Sequence, residues 1–169
     1  MTPVPPSASR IQLTELVLPN DANILGNMLG GRVMHFIDLA GFMAANRHCR
    51  RRCVTAAMER LEFHHPIKVG DAIVLDARVV CVGRTSIDVM VEVRSENLLT
   101  GAREHTSTAF MTFVAVDERG RPLAVPPLSP ETDEDRRLQA DALERRAYRL
   151  RSRPAPPPAE GRAQRTARG

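Results

Sequence analysis

The chain has 169 residues, 43% of them apolar and 26% charged, with a formal net charge of +4. That balance excludes a chain too polar to bury a core and fits one globular domain. Aromatic residues make up 4%, with no Trp, so the core is aliphatic, and a basic face with stacking aromatics for specific nucleic-acid binding is not expected.

Residues 1–10 are rich in Pro and Ser and lack an apolar run, so no secretory signal is expected, and residues 1–9 read as a flexible lead-in. From 10 to 18, RIQLTELVL alternates apolar and polar with Ile11, Leu13 and Val17 on one register, which predicts a strand. Pro19 ends it, and Asn20-Asp21 supplies turn chemistry. A loop then reaches Gly30-Gly31 and becomes a helix. Between Val33 and Ala45 the only strongly polar residues are His35 and Asp38, which predicts a helix buried on most sides. It is too short to span a bilayer and is bracketed by Arg32 and Arg47.

Four further strands are predicted at 54–63, 72–82, 85–95 and 104–116. The third shows the cleanest period of two, with Ile87, Val89, Val91 and Val93 against Asp88, Glu92 and Arg94. Gly83-Arg84 and Leu99-Thr100-Gly101 mark turns. The order β-α-β-β-β-β contains no βαβ repeat, so it predicts an α+β fold in which a five-stranded antiparallel sheet wraps one long helix. That domain covers 10–117. Residues 118–153 read as a Pro-punctuated connector and a charged, mostly exposed helix over 133–151. The Pro- and Arg-rich stretch 154–169 reads as a disordered basic tail.

An unpaired buried carboxylate is costly, so Asp38 needs a partner, with Arg32, Arg47 or Arg52 in reach, or a chemical task. His35 lies three residues before it, which leaves a His–Asp dyad open. Cys49, Cys53 and His48 lack a second ligand pair for a metal, and Cys81 reads as a small core residue. Three cysteines without a secretory signal predict reduced thiols and a cytoplasmic location. No Gly-Xaa-Ser-Xaa-Gly elbow is present.

Three blocks stand in order between Leu18 and Asp117: PNDANILGNMLGGRVMHFIDLAG, RLEFHHPIKVGD and VGRTSIDVMVEVRSENLLTGAREHTSTAFMTFVAVD. With them the chain resembles the hotdog-fold acyl-CoA thioesterases, in particular the acyl-CoA hydrolase group of bacteria and vertebrate cytosol. The resemblance implies a hotdog homodimer with two sheets joined edge to edge, assembling into trimers of dimers. It implies hydrolysis of acyl-CoA without a metal or a cofactor other than the CoA of the substrate. It implies that Asn23 and Asp38 are the catalytic pair, acting across the dimer interface. Gly30 and Gly31 sit where backbone N–H groups at a helix start could receive an oxyanion. CoA is placed near Lys68, Arg84, Thr85, Ser86, Arg94, Ser95 and Asn97. The alternatives are a non-catalytic acyl-CoA-binding or regulatory hotdog protein, and a hydratase of acyl thioesters using a His–Asp pair.

Overall fold

The strands that alternation predicts form with small shifts at their ends: β1 (Ile11–Leu16), β2 (Arg52–Met58), β3 (Ala72–Val82), β4 (Ser86–Glu96) and β5 (Arg103–Val116). A computed structural model describes residues 1–152, so the tail at 154–169 lies outside the described residues. The strands pair antiparallel in the order β1-β3-β4-β5-β2. A short helical turn, α1 (Pro6–Ser9), precedes them; α2 (Gly30–Cys49) and α3 (Asp133–Arg151) are the two long helices. This is the α+β hotdog fold, with α2 held in the curl of the sheet.

The second strand ends at Met58, not 63. The chain beyond it, with Glu59, Arg60 and Glu62 in close succession, keeps only two backbone bonds to β5, Glu59 N to Phe110 O and His64 N to Thr106 O, each 2.9 Å. The buried helix is longer than its apolar stretch. It begins at Gly30 and ends where Arg50 turns left-handed at φ 53°.

The inner face of the sheet follows from period two. Leu75, Ala77, Val89, Val91, Phe113 and Ala115 are each completely buried or nearly so. Val33, Ile37, Ala40, Gly41 and Ala44 of α2 pack on them. Gly41 is required by closeness: a Cβ there would meet two Phe113 ring carbons at 3.0 Å. The expectation of a helix buried on most sides is corrected for the single chain. One face is buried, while Met34, Leu39 and Phe42 remain 37–42% exposed, because five strands curl around only one side of the cylinder.

The outer face is covered by α3. Ala142 and Leu138 pack on Val80, Cys81 and Met90, so Cys81 is indeed buried, but under α3 and not in the inner core. The helix is fastened by charge: Asp88 accepts from Arg149 (2.9 Å), Arg146 (3.2 Å) and the Thr112 hydroxyl (2.6 Å). Thr132 caps its start by accepting from Asp135 N. The lead-in expected to be flexible is tied down in the structure. Val4 bonds Pro127 and Ser129 through its backbone, and Ser9 is fully buried. Arg10 grips the Asp76 carboxylate of β3. Burial pushes the Asp76 carboxyl up, but the bonds from Arg10 and Gln12 outweigh it and hold it below the usual range.

Two outcomes follow from this packing. Gly41→Ala should lower the unfolding free energy by about 1–3 kcal/mol through overpacking against Phe113, read from denaturant midpoints. His48 is buried at the end of α2, its Nε2 3.0 Å from the Pro126 carbonyl, and burial pushes its pKa down. Below about pH 6.5 the unfolded chain binds this proton while the fold resists it, so stability should fall as pH drops through that window. His48→Gln should flatten that part of the curve.

Candidate active site

The loop before α2 is stapled from below. Asp21, 7% exposed, accepts from Arg32 Nε at 2.8 Å, and its carbonyl takes the Leu29 N–H at 2.9 Å. Arg32 is therefore committed to the loop and leaves Asp38 alone. At the rim of this loop, Asn23 Oδ1 accepts from Leu25 N (2.9 Å) and Asn27 N (3.2 Å), an Asx turn. Its Nδ2 donor makes no bond among the described residues. Ile24 and Leu25 beside it are largely exposed.

Asp38 lies on the shoulder of the buried face of α2 and is only half-buried in the single chain. None of the expected arginine partners reaches it. Arg47 donates to the Arg10 carbonyl, and Arg52 pairs with Glu118 at 3.9 Å. Instead Asp38 Oδ1 accepts the Thr55 hydroxyl at 2.7 Å. Thr55 sits on β2 opposite Phe113, so alternation turns it inward towards α2, and a bulge follows between Thr55 and Ala57. Thr55 was missed by sequence reasoning. Its only signal was position: a Thr two residues from Cys53 in a strand whose inner face meets the helix. His35 is exposed and packs edge-on against Phe36, 5.5 Å between ring centroids, not against Asp38.

Gly30 and Gly31 form the first turn of α2, which has no side-chain cap. Their N–H groups have no acceptor among the described residues. A Cβ at Gly31 would meet nothing within 4 Å, whereas Gly30 faces the Phe63 ring at 3.5 Å. Asp38 is eight residues further on, about 12 Å along the helix axis at about 1.5 Å per residue.

The structure divides the candidate CoA residues between two ends of the sheet. Arg84, Thr85 and Ser86 lie at the β3–β4 turn; Arg94, Ser95, Asn97 and Lys68 lie at the other end. Nine strand residues at about 3.3 Å each separate Ser86 from Ser95 by about 30 Å. Ser95 is buried, Arg94 pairs with Glu92 at 2.7 Å, and Asn97 caps its own turn through Leu99 N and Thr100 N. Ser86 accepts from Arg146 at 2.9 Å. Lys68 and Arg84 remain exposed. A groove of about 1090 Å³ runs between the β2 edge and the C-terminal half of α3, and Thr85 and Ser86 line it. It lies on the outer face of the sheet, and Asp38 is not among its lining residues. Among the described residues no cluster of three His, Cys, Asp or Glu could hold a metal.

The sequence profile of the thioesterase superfamily matches residues 25–102. An uncharacterized acyl-CoA thioester hydrolase of Bacillus subtilis, YkhA, is 42% identical over 137 residues, spanning 81% of this chain and 80% of that protein. The crystal structure of an apo-hexameric acyl-CoA thioesterase superposes with a TM-score of 0.86 at 42% identity, covering 89% of this chain and 97% of the other. The acyl-CoA hydrolase of Staphylococcus aureus, solved with butyryl coenzyme A, coenzyme A and coenzyme A disulfide, superposes with a TM-score of 0.80 at 31% identity over 88% and 93% of the two chains. Solved variants of that hydrolase replace an Asp, an Asn and a Thr by Ala.

The two halves of the Asn23 amide are separable. Asn23→Asp keeps the acceptor of the turn and should leave the denaturant midpoint near wild type. Asn23→Ala removes both bonds and should cost about 1 kcal/mol.

Proposed function

The chain belongs to the thioesterase superfamily, and on that premise we propose that it hydrolyses acyl-CoA to a fatty acid and CoA, with Asp38 orienting and deprotonating the attacking water. The observation that carries this reading is the Asp38–Thr55 bond: a half-open carboxylate, paired with no cation among the described residues, fixed in direction by one hydroxyl. A thioester lacks amide resonance, so a positioned water and donors for the developing oxyanion suffice. The Asn23 amide N–H and the open N–H groups of Gly30 and Gly31 are the candidate donors. The similar hydrolase whose Asp, Asn and Thr were each replaced supports the same three residue types here.

The reading requires a second copy. Asp38 is about 12 Å from the start of its own helix, too far to serve one carbonyl carbon together with those N–H groups. β2 is an edge strand with Val54, Thr55 and Ala56 exposed, and an unpaired edge is a template for another chain. Pairing there would cover the exposed Met34, Leu39 and Phe42 and bring the partner's loop to Asp38. We therefore infer a two-fold dimer with composite sites. A hexamer built as a trimer of such dimers agrees with the hexameric neighbour. CoA phosphates would meet the exposed Lys68 or Arg84, one at each end of the sheet. Three free thiols fit work in the cytoplasm.

Thiol release from acyl-CoAs of increasing chain length tests the activity. Asp38→Asn should fold and lose about 10²–10⁴-fold in kcat. Thr55→Ala should lose less, since it orients the carboxylate without replacing it. Acyl-CoA binding without any release would favour the non-catalytic alternative. Complementation tests the shared site: Asn23→Ala and Asp38→Ala proteins, each nearly inactive, should regain roughly half the wild-type kcat as mixed dimers, because one of the two sites then carries neither change. Verified mixed dimers that stay inactive would sink the composite site and leave hydrolysis untouched.

A further inference from the structure

The end of α2 and the start of β2 hold a pair of thiols that the hydrolytic reading does not use. Cys49 is the last residue of α2, Cys53 the second of β2, and each is 5% exposed. Their sulfurs stand 3.4 Å apart, and both also point at the Arg51 carbonyl, at 3.6 and 3.8 Å. Between them run Arg50, Arg51 and Arg52, all exposed. The link is tight: Arg50 is left-handed, and Asn46 Oδ1 accepts the Cys53 N–H at 3.2 Å. We propose that Cys49 and Cys53 form a reversible dithiol–disulfide site, closed by a hydroperoxide, and that closure loosens the Thr55–Asp38 bond.

The chemistry balances with one oxidant. A Cys49 thiolate attacks the peroxide O–O bond, giving a sulfenic acid and releasing water or an alcohol. The Cys53 sulfur then displaces hydroxide from that sulfenic acid, which leaves as a second water. Two thiols lose two hydrogens, and the peroxide is reduced. The attacking member is Cys49. The hydrogen bond from Cys53 holds its thiol down to about 7 against the opposing effect of burial, and the Arg51 charge assists. The same bond and burial push Cys53 up, so one thiolate and one proton are shared. The C-terminal end of a helix disfavours a thiolate. Here the hydrogen bond from Cys53 and the Arg51 charge offset it. Cys81 has no such partner, and burial pushes its thiol up.

The consequence for the site rests on the hydrolase reading. A disulfide requires about 2.05 Å between sulfurs, so the two sulfurs must approach by more than 1 Å, through side-chain rotation together with movement of the α2–β2 joint. Cys53 and Thr55 share the inner face of β2, two residues apart, and Asp38 is on the same helix as Cys49. The share of that approach taken up by the joint displaces Thr55 against Asp38 and loosens their 2.7 Å bond.

The test treats the reduced full-length protein with hydrogen peroxide and maps its peptides by mass. The expected result is a loss of 2 Da in a Cys49–Cys53 linked peptide, reversed by dithiothreitol, with Cys81 still free. In parallel, kcat for acyl-CoA should fall tenfold or more and return on reduction. Cys49→Ser should retain basal turnover and lose peroxide sensitivity, and Cys81→Ser should keep both. A peptide map of the oxidised wild type with no such link overturns the proposal, whatever the variants do. A complete link with unchanged kcat overturns the coupling to Thr55. The mass readout is independent of the substrate, so a protein that cleaves no acyl-CoA would refute the hydrolase reading while the disulfide stands or falls by itself.

Discussion

The arrangement depends on a geometric constraint: a five-stranded sheet can curl around only one side of a helix. The inner face of β3, β4 and β5 is apolar apart from the buried Ser95 and Ser107, and it seals Val33, Ile37, Ala40, Gly41 and Ala44 of α2. Gly41 lets the helix axis approach Phe113 closely, which deepens the seal. The opposite side of α2 keeps Met34, Leu39 and Phe42 in water, and Asp38 stands on the border between the two sides. A carboxylate on that border is neither deeply desolvated nor free, and one hydroxyl from the edge strand is enough to fix it. An apolar helix face beside an unpaired strand edge is also the feature on which the proposed dimer rests.

The outer face is organised by a different force. α3 buries little apolar surface, with Ala142 alone fully covered. What holds it is the Asp88 carboxylate, 6% exposed, with Arg146, Arg149 and Thr112 around it. Arg149 also reaches Glu59 at 3.0 Å, just beyond β2, and Arg145 lies over the Phe110 ring at 3.7 Å. Asp88 is paired twice, so removing Arg146 or Arg149 leaves it one partner, whereas removing Asp88 takes from both arginines the carboxylate they share. The arginines that give the chain much of its positive charge are therefore largely structural on this face. Net charge alone said little about an anionic partner.

The joint between α2 and β2 connects these considerations to chemistry. Asp38 and Cys49 belong to the helix, Thr55 and Cys53 to the strand, and only two residues, Arg50 and Arg51, link the two elements. The short link, with Arg50 left-handed, keeps both pairs at one joint.

Much of the fold was legible in the sequence because periodicity is local. Period two located Ile87, Val89, Val91 and Val93 on one face, and the apolar stretch from Val33 located the helix that the sheet must cover. Asp38 stood out for the same local reason, as one of two polar residues in that stretch. Thr55 did not, since a Thr in a strand is ordinary until its cross-strand partner Phe113 and the facing helix are known. The division of Ser86 from Ser95 between opposite ends of β4 followed from strand rise, yet their roles depended on neighbours far in sequence: Arg146 for one, burial for the other. The tie of Val4 to Pro127 and Ser129 was equally invisible, because a Pro-rich lead-in has no periodicity to show what it packs against. Sequence determined which residues form strands and helix and which carboxylate is exceptional, since both follow from spacing along the chain. Tertiary structure decided which hydroxyl holds that carboxylate, which sulfurs meet and which face of α2 stays open, since those depend on distances between segments that spacing does not encode.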